Sequence, residues 1–249
     1  MKHGIVADVH SNYNALLPVL EILVEKEKAD RLIFIGDMIG YGARPNECIA
    51  AIRGTGGAAA IAGNHEWALL GRADMADYNP VARKAIEWTA KHITAENKAW
   101  LESLGREYNG NGFTAVHASP RDPINEYVYG EVVFSENLPS MKERLCFIGH
   151  THVSEYYCAE AAAGGKTLRK RLIGGDLLAI EPGMTFMVNC GSAGQPRGGA
   201  DTRASFCLYD DEAKTVRVFS AEYDIASTQR EILEAGLPPF LAFRLERGI

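Results

Sequence analysis

The first sixty residues alternate short apolar runs with longer segments of helical periodicity. Apolar runs at residues 4–7, 32–35 and 58–62 predict strands, and the segments at about 14–26 and 45–52 predict helices. Strand–helix–strand spacing of this length predicts a parallel sheet. Pro18 lies inside the first helical segment, so we expect that helix to begin late or to bend, because proline removes a backbone hydrogen bond.

An insert over about residues 67–104 interrupts this alternation. The insert is helical from about residue 79, and Thr94 is placed to cap its second helix. Apolar runs at residues 112–116 and 145–148 then predict two more buried strands.

The pattern changes again after residue 154. Strand-like runs separated by turn residues predict an antiparallel stretch, with runs at 155–159, 167–173, 177–180, 185–188, 205–209 and 215–220. A helical tail at about 225–247 follows, in which Asp224 caps a helix that ends near Gly236. The whole pattern predicts one α/β domain with two sheets over residues 1–249.

Composition places the chain among globular proteins. Apolar residues make up 47% and charged residues 23% of the 249 residues, which excludes a disordered chain and a disulfide-rich miniprotein. The net charge of −6 argues against long nucleic acid as a partner, and the one basic cluster, at residues 166–171, is interpreted as the solvated face of a strand. Five scattered cysteines without a Cys-x-x-Cys pair are interpreted as small buried residues.

The absence of a membrane-spanning segment and of a secretory signal peptide from the sequence predicts a cytoplasmic location. No apolar run approaches the ~20 residues needed to cross a bilayer, so no membrane association is expected. Lys2 and Asp8 interrupt the first residues before the apolar region of a secretory signal peptide can develop.

Candidate chemistry lies where five predicted strands end. Each strand runs directly into polar residues: Asp8-Val9-His10, Gly36-Asp37, Gly63-Asn64-His65-Glu66, His117 and Gly149-His150-Thr151-His152. Sites of open α/β sheets form at the carboxyl ends of the strands. Five such ends that offer carboxylate, imidazole and amide groups together predict a metal site.

Local geometry supports this hypothesis. Residues two apart in an extended chain point to the same side, so Asp8 should converge with His10, and His150 with His152. The glycines at positions 36, 63 and 149 permit sharp exits from the sheet and close backbone approach. Each motif alone has an ordinary structural explanation as a cap, a turn or a buried histidine, and the metal hypothesis depends on their joint occurrence. His3 and His92 lie outside the motifs and are interpreted as structural.

The five motifs, in this order, resemble those of the calcineurin-like metallophosphoesterases. The resemblance covers residues 3–153 and continues into Asn189-Cys190-Gly191-Ser192 and Gln195-Pro196-Arg197. That segment is similar to the Asn-Pro-Gly-Ser…Pro-Arg segment of smaller bacterial members, with Cys190 in place of the usual proline. The resemblance implies a four-layer α/β/β/α sandwich of two mixed sheets, with the site at the strand ends.

The resemblance also implies two divalent metal ions and their ligands. One ion would be held by Asp8, His10, Asp37 and His152, and the other by Asp37, Asn64, His117 and His150, so that Asp37 is shared. A hydroxide bridging the two ions would attack phosphorus, and His65 would act as the general acid that protonates the leaving oxygen. Nitrogen and oxygen ligands without a thiolate favour Mn²⁺, Fe, Zn²⁺ or Ni²⁺ over Mg²⁺ or Ca²⁺.

For the residues that contact the substrate, the sequence offers alternatives. Gly40 and Tyr41 stand where the serine/threonine phosphatase branch has the aspartate that partners the catalytic histidine and the arginine that grips phosphate. Arg44 and Arg197 are candidate replacements for that arginine, and each can equally brace a loop. The insert aromatics Trp67, Tyr78 and Trp88 either stack on a nucleobase or pack the insert onto the body.

The sequence therefore predicts a metal-dependent phosphoesterase that hydrolyses phosphomonoester or phosphodiester bonds of a small or nucleotide substrate. Two alternatives use the same site: a phosphoprotein phosphatase and a diadenosine-polyphosphate hydrolase. A third alternative is a binding scaffold that has kept the fold and lost the chemistry. Every expected ligand position and His65 are present, which favours an enzyme.

Overall fold

The computed structural model describes residues 1–160, 166–199 and 201–249. Within these residues, twelve strands form two six-stranded sheets. The strands are β1 Lys2–Val6, β2 Arg31–Ile35, β3 Ala59–Ile61, β4 Glu107–Asn109, β5 Thr114–Val116, β6 Leu145–Ile148, β7 Ser154–Glu160, β8 Thr167–Arg171, β9 Leu177–Ala179, β10 Met184–Cys190, β11 Ala204–Asp210 and β12 Thr215–Ala221. Their order is β3-β2-β1-β11-β12-β9 in the first sheet and β4-β5-β6-β10-β7-β8 in the second.

Helices cover the outer faces of both sheets. The α-helices are α1 Tyr13–Leu20, α2 Pro45–Gly54, α3 Asn64–Leu69, α4 Pro80–His92, α5 Ala95–Glu102, α6 Glu131–Asn137, α7 Ile225–Glu234 and α8 Pro239–Phe243. One apolar cluster joins the first sheet to α1, α2 and α5, and another joins the second sheet to α6. The expected four-layer α/β/β/α arrangement is confirmed. None of the described helices combines the length and the apolar composition that crossing a bilayer requires.

The amino-terminal sheet follows the predicted pattern. β1, β2 and β3 are parallel, as the strand–helix–strand spacing predicts, and β11 adds antiparallel to β1, which makes the sheet mixed. The first helix does not begin late, since it begins at Tyr13, capped by the Asn12 side chain, and contains Pro18. The helix then passes into a π-helical turn at Glu21–Lys26, so the irregularity follows the proline rather than delaying the start.

The carboxyl-terminal strands divide between the two sheets. β7 and β8 pair antiparallel in the second sheet, and β11 pairs antiparallel with β12 in the first. β10 is the exception to the predicted antiparallel stretch, because it is parallel to β6 and antiparallel only to β7. The Thr94 and Asp224 caps are confirmed, since each side chain accepts a hydrogen bond from a backbone N–H in the first turn. All five cysteines are buried and free, as expected.

The two sheets pack face to face over a common core. This cluster draws fully buried side chains from both sheets, including Ile5, Phe113, Phe147, Val188 and Tyr209. Hydrogen bonds then tie the strand ends together across the interface. The backbone N–H of Ala193 donates to Ala7 and that of His150 donates to the Asp8 carboxylate at 3.0 Å. The polar ends of β1, β2, β3, β5 and β6 therefore meet at one edge of the sandwich.

A compact loop over residues 117–130 connects β5 to α6 beside this edge. Its centre is the Glu126 carboxylate, which accepts hydrogen bonds from Ser119, Arg121 and Asn137. Burial works to raise the pKa of Glu126, but these hydrogen bonds outweigh burial and lower the pKa to about 2. The loop is thus held together by an ionised carboxylate.

Phe147 should be a major contributor to the free energy of unfolding. Its ring packs edge-on against Phe113 with centroids 5.6 Å apart, fully buried between the sheets. Phe147→Ala should cost roughly 3–5 kcal/mol through lost burial and the cavity left behind. Urea unfolding measures this, with Leu177→Ala on the exposed edge strand β9 as the control, expected within about 0.5 kcal/mol of wild type. Equal effects of the two substitutions would contradict the packing described.

Glu126→Gln should destabilise the protein in a pH-dependent manner. The ordinary glutamate pKa of 4.5 falls to about 2 on folding, so the ionised side chain stabilises the folded state above pH 4.5 and loses this effect as the pH falls towards 2. The difference in unfolding free energy between wild type and Glu126→Gln should therefore be constant near neutrality and shrink below pH 4.5.

Urea titrations from neutral to acidic pH measure this difference. Glu136→Gln is the matched control, because Glu136 pairs with the same Arg121 but is half exposed. A wild-type–Glu126→Gln difference that does not change with pH would contradict the assignment.

Candidate metal centre

The structure brings the sequence-predicted ligands together in one buried cluster. Asp8, His10 and His152 form one group of candidate donor atoms, and Asp37, His117 and His150 form a second. Asn64 Oδ1 lies 3.1 Å from Nε2 of His117 and so joins the second group. All seven side chains are buried. The first group holds three of the four residues that the resemblance implied for one ion, and the second group, with Asn64, holds the four implied for the other.

Left-handed backbone, rather than extended chain, positions most of these side chains. The angle φ is +55° at Asp8, +49° at His10, +52° at Asp37, +66° at His150 and +63° at His152. The expectation of side chains alternating along an extended strand is therefore wrong. Asp8 and His10 do converge, but His150 and His152 point to different groups. Such backbone is sparsely populated by non-glycine residues, and it clusters at functional sites.

Each of the four histidines is held through its outer ring nitrogen. Nδ1 of His10 donates to the carbonyl of Ile39, and Nδ1 of His117 to that of Ile35. In the same way Nε2 of His150 donates to the carbonyl of Asn125, and Nδ1 of His152 to that of Gln195. A carbonyl oxygen can only accept, so each outer nitrogen carries the proton. The inner nitrogen of each ring is left with its lone pair, which is the arrangement typical of metal-ligating histidines.

The inner nitrogens lie close together in two pairs. Nε2 of His10 lies 3.1 Å from Nε2 of His152, and Nε2 of His117 lies 3.1 Å from Nδ1 of His150. Two neutral acceptors at this distance repel, unless a positive charge lies between or beside them. The residues therefore fit a centre of cations held by nitrogen and oxygen atoms.

Two carboxylates face the same space. Oδ2 of Asp37 lies 3.4 Å from Nε2 of His117 and 3.7 Å from Nε2 of His10, which places it between the two groups. Oδ1 of Asp8 is buried and has no hydrogen-bond partner within the described residues. An orphaned carboxylate oxygen is costly to bury, and a cation would satisfy it. The position of Asp37 suits a ligand shared by two ions.

A third carboxylate, that of Glu66, holds the backbone of Asp37 in place. Glu66 accepts hydrogen bonds from the backbone N–H groups of Asp37 and Gly63, both at 2.8 Å, and from Ile39 at 3.1 Å. The sequence contains Glu66 within the third motif, yet nothing in its spacing shows that its carboxylate reaches the second. A methyl group on Gly63 would overlap Asp37 Oδ1, so the close approach expected of this glycine is confirmed.

The electrostatics of the cluster favour positive charge at its centre. Burial holds the pKa of His10 and His152 well below their usual range and lowers that of His150 to about 3, so these rings are neutral. Burial also works to lower the pKa of His117, but Asp37 outweighs it and raises that pKa to about 9. The pocket thus stabilises a positive charge beside His117 and Asp37. Either a proton or a metal ion can supply that charge.

His65 is placed differently from the four anchored histidines. Its Nε2 lies 3.9 Å from Oδ2 of Asp37, while its buried Nδ1 has no partner within the described residues. Proximity groups His65 with His10 and Asp37, but no carbonyl fixes its tautomer, so its ring is free to exchange a proton. Tyr41 packs edge-on against it with centroids 4.5 Å apart. Gly40, at φ +87°, lies so close to Nδ1 that any side chain there would overlap the ring.

The two candidate phosphate-binding arginines have different surroundings. Arg44 is paired with Glu47 at 3.2 Å and Glu231 at 3.6 Å, so it braces the surface between α2 and α7. The backbone N–H of Arg197 donates to the carbonyl of His152 at 3.0 Å. Within the described residues, Arg197 forms no ion pair, and burial together with the Arg197 charge lowers the pKa of His152. Arg197 is therefore the candidate beside the centre.

A cavity of about 480 Å³ opens directly onto the centre at His65 and His150. Its walls include the aromatic side chains of Tyr41, Trp67, Tyr78 and Tyr127. The hydroxyl of Tyr78 donates to the carbonyl of Asn64, and Trp67 is covered by Arg72. Trp88 instead donates to the carbonyl of Ala235 and packs α4 onto the carboxyl-terminal helices. Two of the three insert aromatics therefore face the cavity.

Sequence reasoning missed the contribution of the 117–130 loop. Tyr127 stacks on the ring of His150 with centroids 3.8 Å apart, and Tyr129 stacks on Tyr127 in turn. The same loop supplies the Asn125 carbonyl that anchors His150. In the sequence, the signal for this contribution is Tyr127 and Tyr129, which are two positions apart and follow the motif residue His117. His3 and His92 pair with Asp211 and Trp88, away from the centre, in keeping with a structural role.

Comparisons with known proteins agree with this geometry. A sequence model described as the calcineurin-like phosphoesterase superfamily domain matches residues 1–214. A metallophosphoesterase from Sphaerobacter thermophilus has a similar structure, with a TM-score of 0.87 and 37% identity over 100% of both chains. An uncharacterized protein of Methanocaldococcus jannaschii is 33% identical over 98% of this chain and 97% of its own length.

A further similarity covers part of the chain. The symmetrical bis(5'-nucleosyl)-tetraphosphatase of Methylococcus capsulatus is 39% identical over 117 residues, which is 45% of this chain and 41% of that protein. The domain match extends over most of the chain, and the two-sheet fold carries the motif residues at its strand ends. This protein therefore belongs to the calcineurin-like phosphoesterase superfamily.

Proposed function

We propose that this protein is a dinuclear metal-dependent phosphoesterase that hydrolyses a phosphate ester bond of a small phosphorylated or nucleotide substrate. Members of its superfamily are metal-dependent hydrolases. The observation that carries the proposal is the set of four imidazoles with their outer nitrogens bonded to backbone carbonyls and their inner nitrogens converging. The scaffold alternative has no support here, because a binding surface has no need of this arrangement.

The residues divide into two ligand sets in the proposal. Asp8, His10, Asp37 and His152 hold one divalent transition-metal ion, and Asp37, Asn64, His117 and His150 hold the other. Such ions, when bound, supply positive charge for phosphate oxygens and acidify a coordinated water. Asp37 contributes one oxygen toward both sets, while its other oxygen accepts the backbone N–H of His65 at 2.9 Å. This links the shared ligand to the position of the proposed acid.

His65 is the proton donor to the leaving oxygen in this proposal. Burial lowers its pKa, and Asp37 works against that decrease. Because Nδ1 has no carboxylate partner, the nearby Asp37 is the group that stabilises the protonated ring. Positive charge beside the site also lowers the pKa of the ring, which favours release of the proton to an alkoxide leaving group.

The shape of the site supports a small substrate. A cavity of about 480 Å³ lies in the size range of small-molecule sites, and its aromatic walls suit a nucleobase or another flat group. The similarity to a bis(5'-nucleosyl)-tetraphosphatase adds weight to a nucleotide. The phosphoprotein alternative is less well supported, because Gly40 and Tyr41 replace the aspartate and arginine expected of that branch.

Asp37→Asn should abolish most metal-dependent hydrolysis. We expect metal-stripped wild-type protein to regain turnover of p-nitrophenyl phosphate or bis-p-nitrophenyl phosphate when Mn²⁺, Fe²⁺, Ni²⁺ or Zn²⁺ is added back. Loss of the shared carboxylate should reduce this turnover by at least ~10²-fold and weaken metal binding by at least about tenfold. Steady-state kinetics and metal titration by calorimetry give the two readings.

The matched control for Asp37→Asn is Asp211→Asn. Asp211 is also largely buried and faces a histidine, His3, but it lies away from the cluster. The control should retain both metal binding and turnover. If Asp37→Asn turned over the esters at the wild-type rate, or if wild-type protein bound no metal, the dinuclear proposal would be wrong.

His65→Asn should affect proton transfer and spare metal binding. We expect kcat to fall roughly 10²- to 10⁴-fold for a substrate with a poor alkoxide leaving group, because such a group must be protonated as it departs. The loss should be much smaller for p-nitrophenyl phosphate, whose leaving group needs little protonation. Comparing kcat for the two substrates at equal metal occupancy makes the measurement. An equal loss for both substrates would rule out the role as general acid.

A further inference from the structure

A second cavity lies next to a different proposed metal ligand from those at the aromatic cavity. It has a volume of about 330 Å³, and His152 forms part of its wall. The aromatic cavity instead reaches the centre at His65 and His150. The two cavities share no wall residue and each includes at least one proposed ligand, so a substrate that entered both would reach the metal centre from each.

The second cavity is positively charged within a negatively charged protein. Arg171, Arg197 and Arg203 line it against one carboxylate, Asp201, although the chain as a whole carries a net charge of −6. Asp201 and Arg203 form a two-point ion pair at 2.8 and 2.9 Å and offset each other. The remaining charge belongs to Arg171 and Arg197.

Neither of these two guanidinium groups is fully neutralised. Arg171 lies 3.6 Å from Glu155, a buried carboxylate already bonded to Arg169 at 2.8 Å. In the described part of the chain Arg197 is in no ion pair and its buried Nε has no hydrogen-bond partner, while its side chain hydrogen-bonds Tyr41. Guanidinium groups in this state are well suited to phosphate, which they bind through two parallel N–H bonds.

The same two arginines connect the cavity to the metal centre. The Arg197 backbone donates to the carbonyl of His152, a proposed ligand. Nη1 of Arg171 approaches the loop that follows Arg197, since it would lie 3.0 Å from a Cβ built on Gly198. A phosphate held between them would lie next to the centre on the His152 side.

We propose that this cavity, referred to below as the arginine subsite, binds a phosphate group of the substrate beyond the one that is cleaved. The substrate would then carry a chain of two or more phosphates, with its flat group in the aromatic cavity and the chain crossing the centre. This inference rests on the proposed phosphoesterase function and narrows its substrate class to compounds of the nucleoside polyphosphate kind. Ordinary monophosphates would leave the arginine subsite empty.

Binding of inorganic tripolyphosphate to the metal-free protein tests the arginine subsite directly. Calorimetry should show binding by wild type that Arg171→Gln weakens by at least about tenfold, because a charge-assisted contact is lost. The matched control is Lys170→Gln. Lys170 lies on the same strand and is exposed, but it does not line the cavity, so this variant should bind like wild type. Thermal unfolding confirms that both variants are folded.

Kinetics on the metal-loaded enzyme add a second reading. Arg171→Gln should raise KM for a nucleoside triphosphate by about tenfold and raise KM for p-nitrophenyl phosphate by much less, because that ester has no second phosphate. Equal tripolyphosphate affinities for Arg171→Gln and Lys170→Gln, or no binding by wild type, would overturn the arginine subsite even if esters are hydrolysed. Arg171-dependent binding by a protein that hydrolyses no ester would support the subsite and overturn the proposed function, so the two failures are distinguishable.

Discussion

The orientation of four imidazole rings is the constraint on which the rest of the site depends. Each ring gives its outer N–H to a carbonyl from a different part of the chain: Ile35 at the end of β2, Ile39 just beyond it, Asn125 in the 117–130 loop, and Gln195 after β10. A rotated ring would lose this bond and turn its lone pair away from the centre. The positions of several loops are therefore fixed by the rings they anchor, and the chemistry of the centre follows from those positions.

This arrangement requires unfavourable backbone that other parts of the molecule must compensate. Left-handed backbone at five proposed ligands costs about 1–3 kcal/mol for each residue. The compensation comes from the side-chain layer between the sheets and from hydrogen bonds such as those that Glu66 accepts at the strand ends. Rigid strands on both sides explain how such turns persist, because the core leaves the loops little room to relax.

The sequence predicted those parts of the site that depend on strand ends. Polar residues after apolar runs identified both ligand groups, because parallel strands bring their carboxyl ends to one edge whatever the detailed loop path. The same reasoning failed for His150 and His152, since alternation holds only in extended chain and both residues are left-handed. Contacts between segments that are far apart in the sequence also could not be predicted from it. No local pattern shows that Glu231 reaches Arg44, or that Arg171, on a strand interpreted as solvated, meets the loop after Arg197.

The place of β1 in its sheet has a consequence for synthesis of the chain. β1 lies between β2, which follows soon after it, and β11 at Ala204–Asp210. While the ribosome is still making the intervening segment, β1, β2 and β3 can pair, but the other edge of β1 remains open. An unpaired edge rich in apolar residues is a template for wrong pairing with another chain. The edge of β1 that faces β11 therefore stays open to pairing until residues 204–210 have been synthesised.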